Sequence, residues 1–126
     1  MKRWLIILTA FASVSASASS LNVGDWARAM QRHEQLVSKA VQVRDVDELK
    51  RQSIELRARS SDPSSWPDGD KWTLARIYCA TMAQELANFV DDKLKGTARG
   101  EVSAEASFKA YRQAGPMCKK GLAKVK

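Results

Sequence analysis

An all-α fold is what this sequence predicts: a small four-helix bundle with one disulfide, preceded by a cleaved signal peptide. Three observations carry that expectation. Apolar residues recur at three- and four-residue steps in four separate segments. No run alternates apolar and polar residues with period two for long enough to make a strand. Two cysteines follow an N-terminal stretch ordered like an export signal.

That stretch begins with Lys2 and Arg3. The apolar run Trp4 to Ala12 follows, and then small residues from Ser13 to Ser20. Ala16-Ser17-Ala18 is the best cleavage triplet, with Val14-Ser15-Ala16 as its competitor. Residues 1–18 therefore read as a signal peptide, and 19–126 as a single helical domain. The apolar run falls well short of the roughly 20 residues that a spanning helix needs.

Helix 22–43 is marked by Val23, Trp26, Met30, Val37 and Ala40, with Asn22 as its cap and Asp25 near the positive end of its dipole. Helix 45–60 opens on Asp45 and Glu48 at capping-box spacing and aligns Val46, Leu49, Ser53 and Leu56. Its other face weaves Lys50, Arg51, Glu55, Arg57 and Arg59. The break at Val43-Arg44 is weakly marked, so one bent helix and two helices both fit. Residues 60–70 form the clearest loop, because Pro63, Pro67 and the Pro67-Asp68-Gly69 turn cannot continue a helix. Asp68 and Asp70 are expected to shape that turn and cap the next helix.

Helix 71–95 has the broadest apolar arc, from Leu74 to Leu94, so it is expected to be central. Ala75, Cys79, Ala83 and Ala87 recur every four residues and would let another helix come close. Gly96 is its expected stop. Helix 102–114 is capped by Ser103, carries the stripe Ala104, Phe108 and Tyr111, and is expected to end at Gly115-Pro116.

Cys79 and Cys118 are expected to form a disulfide that fastens the tail to the central helix. Closing a loop of that length contributes about 4 kcal/mol by chain entropy. The competing reading is a redox-active or metal-binding thiol pair. It lacks a Cys-x-x-Cys spacing and places one thiol in an apolar helix face.

Several chemistries lack their residues. His33 is the only histidine, which removes two-histidine metal sites and the His-Glu-x-x-His motif. It falls within the stripe of Trp26, Met30 and Val37, where a histidine hydrogen-bonded inside the bundle is the plain expectation. Asp62, Asp68 and Asp70 crowd the loop, but the next acid is Glu85, so the ligand spacing of a calcium loop is missing. Asp91 and Asp92 are expected to pair with Lys93 and Lys95. No Gly-rich phosphate loop, nucleophile elbow or dinucleotide fingerprint is present. The expectation is a protein without catalysis, cofactor or metal.

Charge is uneven. The whole chain has a formal net charge of +7. Residues 96–126 hold Arg99, Lys109, Arg112, Lys119, Lys120, Lys124 and Lys126 against Glu101 and Glu105. Without Lys2 and Arg3, the remainder sums to zero. A basic C-terminal segment suits an acidic partner, and a solvated tail is its plainer alternative. Nucleic acid is not expected, since export separates the protein from it and the tail offers no aromatic residues to stack on bases. Trp66 is a loop tryptophan of the kind that anchors interfaces; its alternative is to fold back over one end of the bundle.

The function expected from these features is that of a periplasmic or secreted helical binding protein. It would be a non-catalytic inhibitor or immunity-type protein that covers its target. Small exported inhibitors and immunity proteins share this outline, though no motif matches residue by residue. Trp66, Lys109, Arg112, Lys119 and Lys120 are the candidate contact residues. Two alternatives stand beside it. One is an envelope-associated structural or stress protein that binds an anionic surface without spanning the membrane. The other is a small-ligand carrier using Met30, His33, Tyr78 and Met82.

Overall fold

The computed structural model describes residues 23–61 and 66–125. The expected signal peptide, the expected cap Asn22, and Asp62 lie outside them. Four helices follow in order, with no strand among the described residues: α1 (Val23–Val43), α2 (Val46–Ser61), α3 (Thr73–Lys95) and α4 (Ala98–Ala123). A short 3₁₀ turn, Asp70–Trp72, leads into α3.

α1 and α2 are two helices, not one bent helix. Arg44 adopts a left-handed conformation with φ 55°. Its N–H donates to Val41 O at 3.4 Å, and the Asp45 N–H donates to Ala40 O at 2.9 Å. These bonds satisfy the carbonyls that a helix end leaves unpaired. Asp45 then starts α2, accepting the Glu48 N–H on Oδ1 at 3.1 Å, as its capping spacing predicts. On the predicted faces, Trp26, Met30, Val37, Ala40, Leu49, Ser53 and Leu56 are buried, whereas Val46 is exposed at the first turn. Gln52 is buried as well, although it is polar.

α3 is the central helix, packed against α2 on one side and α4 on the other. Ala75, Cys79, Ala83, Leu86, Ala87 and Val90 are fully buried. Leu74, at the edge of the arc, is exposed. Neither Asp68 nor Asp70 caps α3: its N-cap residue is Trp72, without a side-chain hydrogen bond. Gly96 ends α3 in the left-handed conformation at φ 63°, as predicted.

α3 and α4 form an antiparallel hairpin. A Cβ on Gly121 would lie 2.7 Å from Ala75 Cα, and one on Gly100 would lie 2.7 Å from Asp92 O. Only glycine allows backbones so close. Between these points Cys79 and Cys118 are disulfide-bonded, with their Cα atoms 4.7 Å apart.

α4 departs most from expectation. It begins four residues early, and Thr97, not Ser103, is its cap, accepting the Gly100 N–H on Oγ1 at 3.0 Å. It also runs through Gly115-Pro116 to Ala123. Proline removes one helical N–H and crowds the carbonyl four residues back. Here Pro116 points to solvent, where water can satisfy the freed carbonyl. Gly115 has no Cβ to clash with the proline ring. Burial of Ala114, Cys118, Gly121 and Leu122 on both sides of the proline holds the helix together.

Three tryptophans close one end of the bundle. Trp66 packs at a tilt against Trp26 at 5.0 Å and Trp72 at 6.4 Å between ring centroids. α1 packs chiefly on α2, and it faces α4 across a groove.

Candidate functional site

Lys109, Arg112, Lys119 and Lys120 all project from the exposed side of α4, with Lys124 in continuation. At a rise of 1.5 Å per residue the row extends about 22 Å. None of the five has an acidic partner among the described residues. The Arg112 guanidinium stacks 4.9 Å above the Phe108 ring, which fixes its position. The acids of this helix, Glu101 and Glu105, belong to its N-terminal half, and Glu101 is paired with Lys93 at 2.5 Å. The C-terminal half is thus uniformly cationic, and the disulfide and the α3 packing hold it rigid.

Trp66 does not belong to this surface. It is only 5% exposed. A tryptophan flanked by serine and proline looks like a free loop anchor, but its ring finds more apolar surface against Trp26 and Trp72 than in water. The alternative, that it folds back over the bundle end, describes its place.

Beside the basic row, the groove between α1 and α4 encloses about 550 Å³. Its apolar floor is built by Trp26 and Met30 of α1, Met82 of α3, and Tyr111 and Leu122 of α4. Lys119 stands on its α4 edge and Glu34 on its α1 edge. The Tyr111 hydroxyl crosses the groove and donates to Glu34 Oε2 at 3.0 Å. Burial holds the Tyr111 proton well above the usual tyrosine range, and the Glu34 charge and hydrogen bond add to that effect.

The carrier residues do not converge. Met30 and Met82 share the groove, but His33 faces α2. His33 Nδ1 lies 2.7 Å from Gln52 Oε1, and Arg59 Nε donates to His33 Nε2 at 2.7 Å. With Arg59 donating to Nε2 and Nδ1 beside Gln52, both ring nitrogens are occupied. Gln52 in turn donates to Glu48 Oε1 at 2.9 Å. His33 is therefore hydrogen-bonded inside the bundle, as its stripe position suggests. Among the described residues no three His, Cys, Asp or Glu gather as a metal site requires. Asp92 pairs with Lys95 at 3.0 Å, as expected, but is buried. Asp91 instead accepts the Ser53 hydroxyl at 2.6 Å and pairs with Arg57.

Gln52, Glu34 and the groove itself escape sequence reasoning. Gln52 had a visible signal, since it lies three residues after Leu49 and four before Leu56 on the buried face. Glu34 had none, because its partner Tyr111 is 77 positions away.

No protein-family model, curated protein or solved structure matches this chain.

Proposed function

We propose that the chain is an exported, non-catalytic helical binding protein of the inhibitor or immunity type, which covers an acidic surface of a target protein. The observation that carries this reading is the unpaired basic row Lys109, Arg112, Lys119 and Lys120 on a helix that is covalently fastened to the core. Unpaired exposed cations give up no intramolecular ion pair on docking, and a rigid helix pays little ordering entropy. Complementary charge also speeds encounter and makes it salt-dependent. Trp66 leaves the contact set, and Arg112 becomes its best-positioned member.

Export rests on the order of basic, apolar and small residues in 1–18. Mass spectrometry of the processed protein should find a chain starting at Ser19 with no free thiol. A retained Met1 or two free thiols would sink the export reading.

The binding test uses the partner recovered from an envelope extract and titrated calorimetrically. Stoichiometric binding that weakens with salt, and falls at least about tenfold in Lys119→Glu/Lys120→Glu, is the expected result. Unchanged affinity in that variant overturns the assignment of the surface. The same row would also attract an anionic membrane or envelope polymer. Sedimentation with anionic vesicles and no protein partner would favour the structural reading instead. No helix among the described residues is long and apolar enough to cross a membrane.

A further inference from the structure

We propose that the α1/α4 groove is the seat of one amphipathic helix from the partner, about three turns long, with an acidic flank along α4. The inference rests on the binding reading above and names what the partner inserts.

Length comes first. Along α1 the groove runs from Gly24 to Glu34, which at 1.5 Å per residue is about 15 Å, close to three helical turns. The Tyr111–Glu34 hydrogen bond bars its far end. Shape comes second. Short of the Tyr111–Glu34 bond that joins α1 to α4, the groove is an open trough, floored by Met82 from α3. Ala27, Gly115 and Ala123 edge it, and such small residues admit another backbone. A Cβ on Gly115 would meet only Met82 Cε, at 3.9 Å, so there is free room above this point. Met82, partly buried, supplies an adaptable apolar floor, and Met30, only 1% exposed, backs it from the core.

Charge decides the occupant. Lys119 stands on the α4 edge without an acidic partner, and Lys120 and Arg112 lie beyond it. On the α1 edge, Glu34 already accepts the Tyr111 hydroxyl. A helix with acidic residues beside its apolar stripe meets this edge favourably. A second copy of this chain would present its own basic α4 face and be repelled. A fatty acyl chain would stay half in water in so open a trough, whereas small-ligand sites bury most of their ligand.

The probes are two synthetic amphipathic peptides of about 12 residues, some 18 Å of helix. Both carry leucines at helical spacing; one has glutamates and the other lysines on the flanks. Carbon-13 NMR of the Met30 and Met82 methyl groups in the processed protein reports occupancy. The glutamate peptide should shift both methyls saturably and bind at least about tenfold tighter than the lysine peptide. Ala27→Glu, at an exposed groove edge, should narrow that preference while the circular dichroism and melting midpoint stay put. Equal affinities, shifts that spare both methyls, or an unaffected preference in Ala27→Glu would overturn the proposal. So would methyl shifts on self-association without peptide, or saturation by dodecanoate that the glutamate peptide cannot displace. If the natural partner still loses affinity in Lys119→Glu/Lys120→Glu but not in Ala27→Glu, the binding reading stands and the groove proposal falls. If neither variant weakens the partner, both fall.

Discussion

Gly121→Ala should destabilise the protein although it adds a better helix former. A Cβ there would lie 2.7 Å from both N and Cα of Ala75 and 3.1 Å from the Leu74 carbonyl carbon, where ordinary contact begins near 3.4 Å. The obstacle is the backbone of α3, which no rotamer change can clear. α4 must back away by several tenths of an ångström, yet the disulfide three residues earlier resists that movement. Helix propensity returns about 1 kcal/mol. Overpacking of a tight interface costs about 1–3 kcal/mol, and the rigid obstacle places this site at the upper end. The net loss is about 2 kcal/mol, or a melting midpoint lower by roughly 10 °C for a domain of this size. Urea unfolding of the oxidised protein, followed by circular dichroism and tryptophan fluorescence, measures it. Lys120→Ala, on the exposed neighbour, serves as control and should stay within about 0.5 kcal/mol of the parent. A Gly121→Ala protein as stable as the parent would refute the argument that close backbone approach holds the α3–α4 hairpin.

Three further outcomes follow from the same geometry. Cys79→Ala/Cys118→Ala should lower stability by about 4 kcal/mol through the loop entropy it restores to the unfolded chain, as read by denaturant titration. Arg44→Gly should raise stability by about 0.5–1 kcal/mol, because Arg44 bears the cost of a left-handed conformation that glycine adopts freely; no gain in melting midpoint would count against a strained helix end. Tyr111 has a folded-state pKa raised above its unfolded value. Its contribution is therefore complete below pH of about 10 and declines as the pH climbs further, by up to about 1.4 kcal/mol per pH unit. Tyr111→Phe should flatten that alkaline decline, and an unchanged slope would show that another group causes it.

The helices were legible where periodicity and local chemistry agree. α1, α2 and α3 each carry an apolar stripe, and Asp45 and Gly96 do at their boundaries what their residue types favour, although the break at Val43-Arg44 was only weakly marked. The sequence misleads where a distant contact outweighs a local preference. Pro116 signals a helix end, but the burial of Cys118, Gly121 and Leu122 against α3 carries the helix past it. Ser103 is a good cap by type, yet Thr97 wins because Gly96 turns the chain just before it. Asp68 and Asp70 look like caps but make no capping bond to α3. The basic row was readable because charge and helical period are both local properties. The groove was not, since it exists only where α1 and α4, distant in sequence, face each other and are joined by the Tyr111–Glu34 hydrogen bond.

The lopsided attachment of α1 sets the order in which the molecule comes apart. α3 is gripped on both flanks, whereas α1 leans mainly on α2. Regions with fewer buried contacts open at lower free energy than the whole domain. The covalent link joins positions 79 and 118, so it raises the barrier to global unfolding but does not restrain α1. Oxidation therefore widens the gap between the first segment to peel away and the last to melt, and amide exchange should run fastest along α1 and slowest across Cys79 and Cys118.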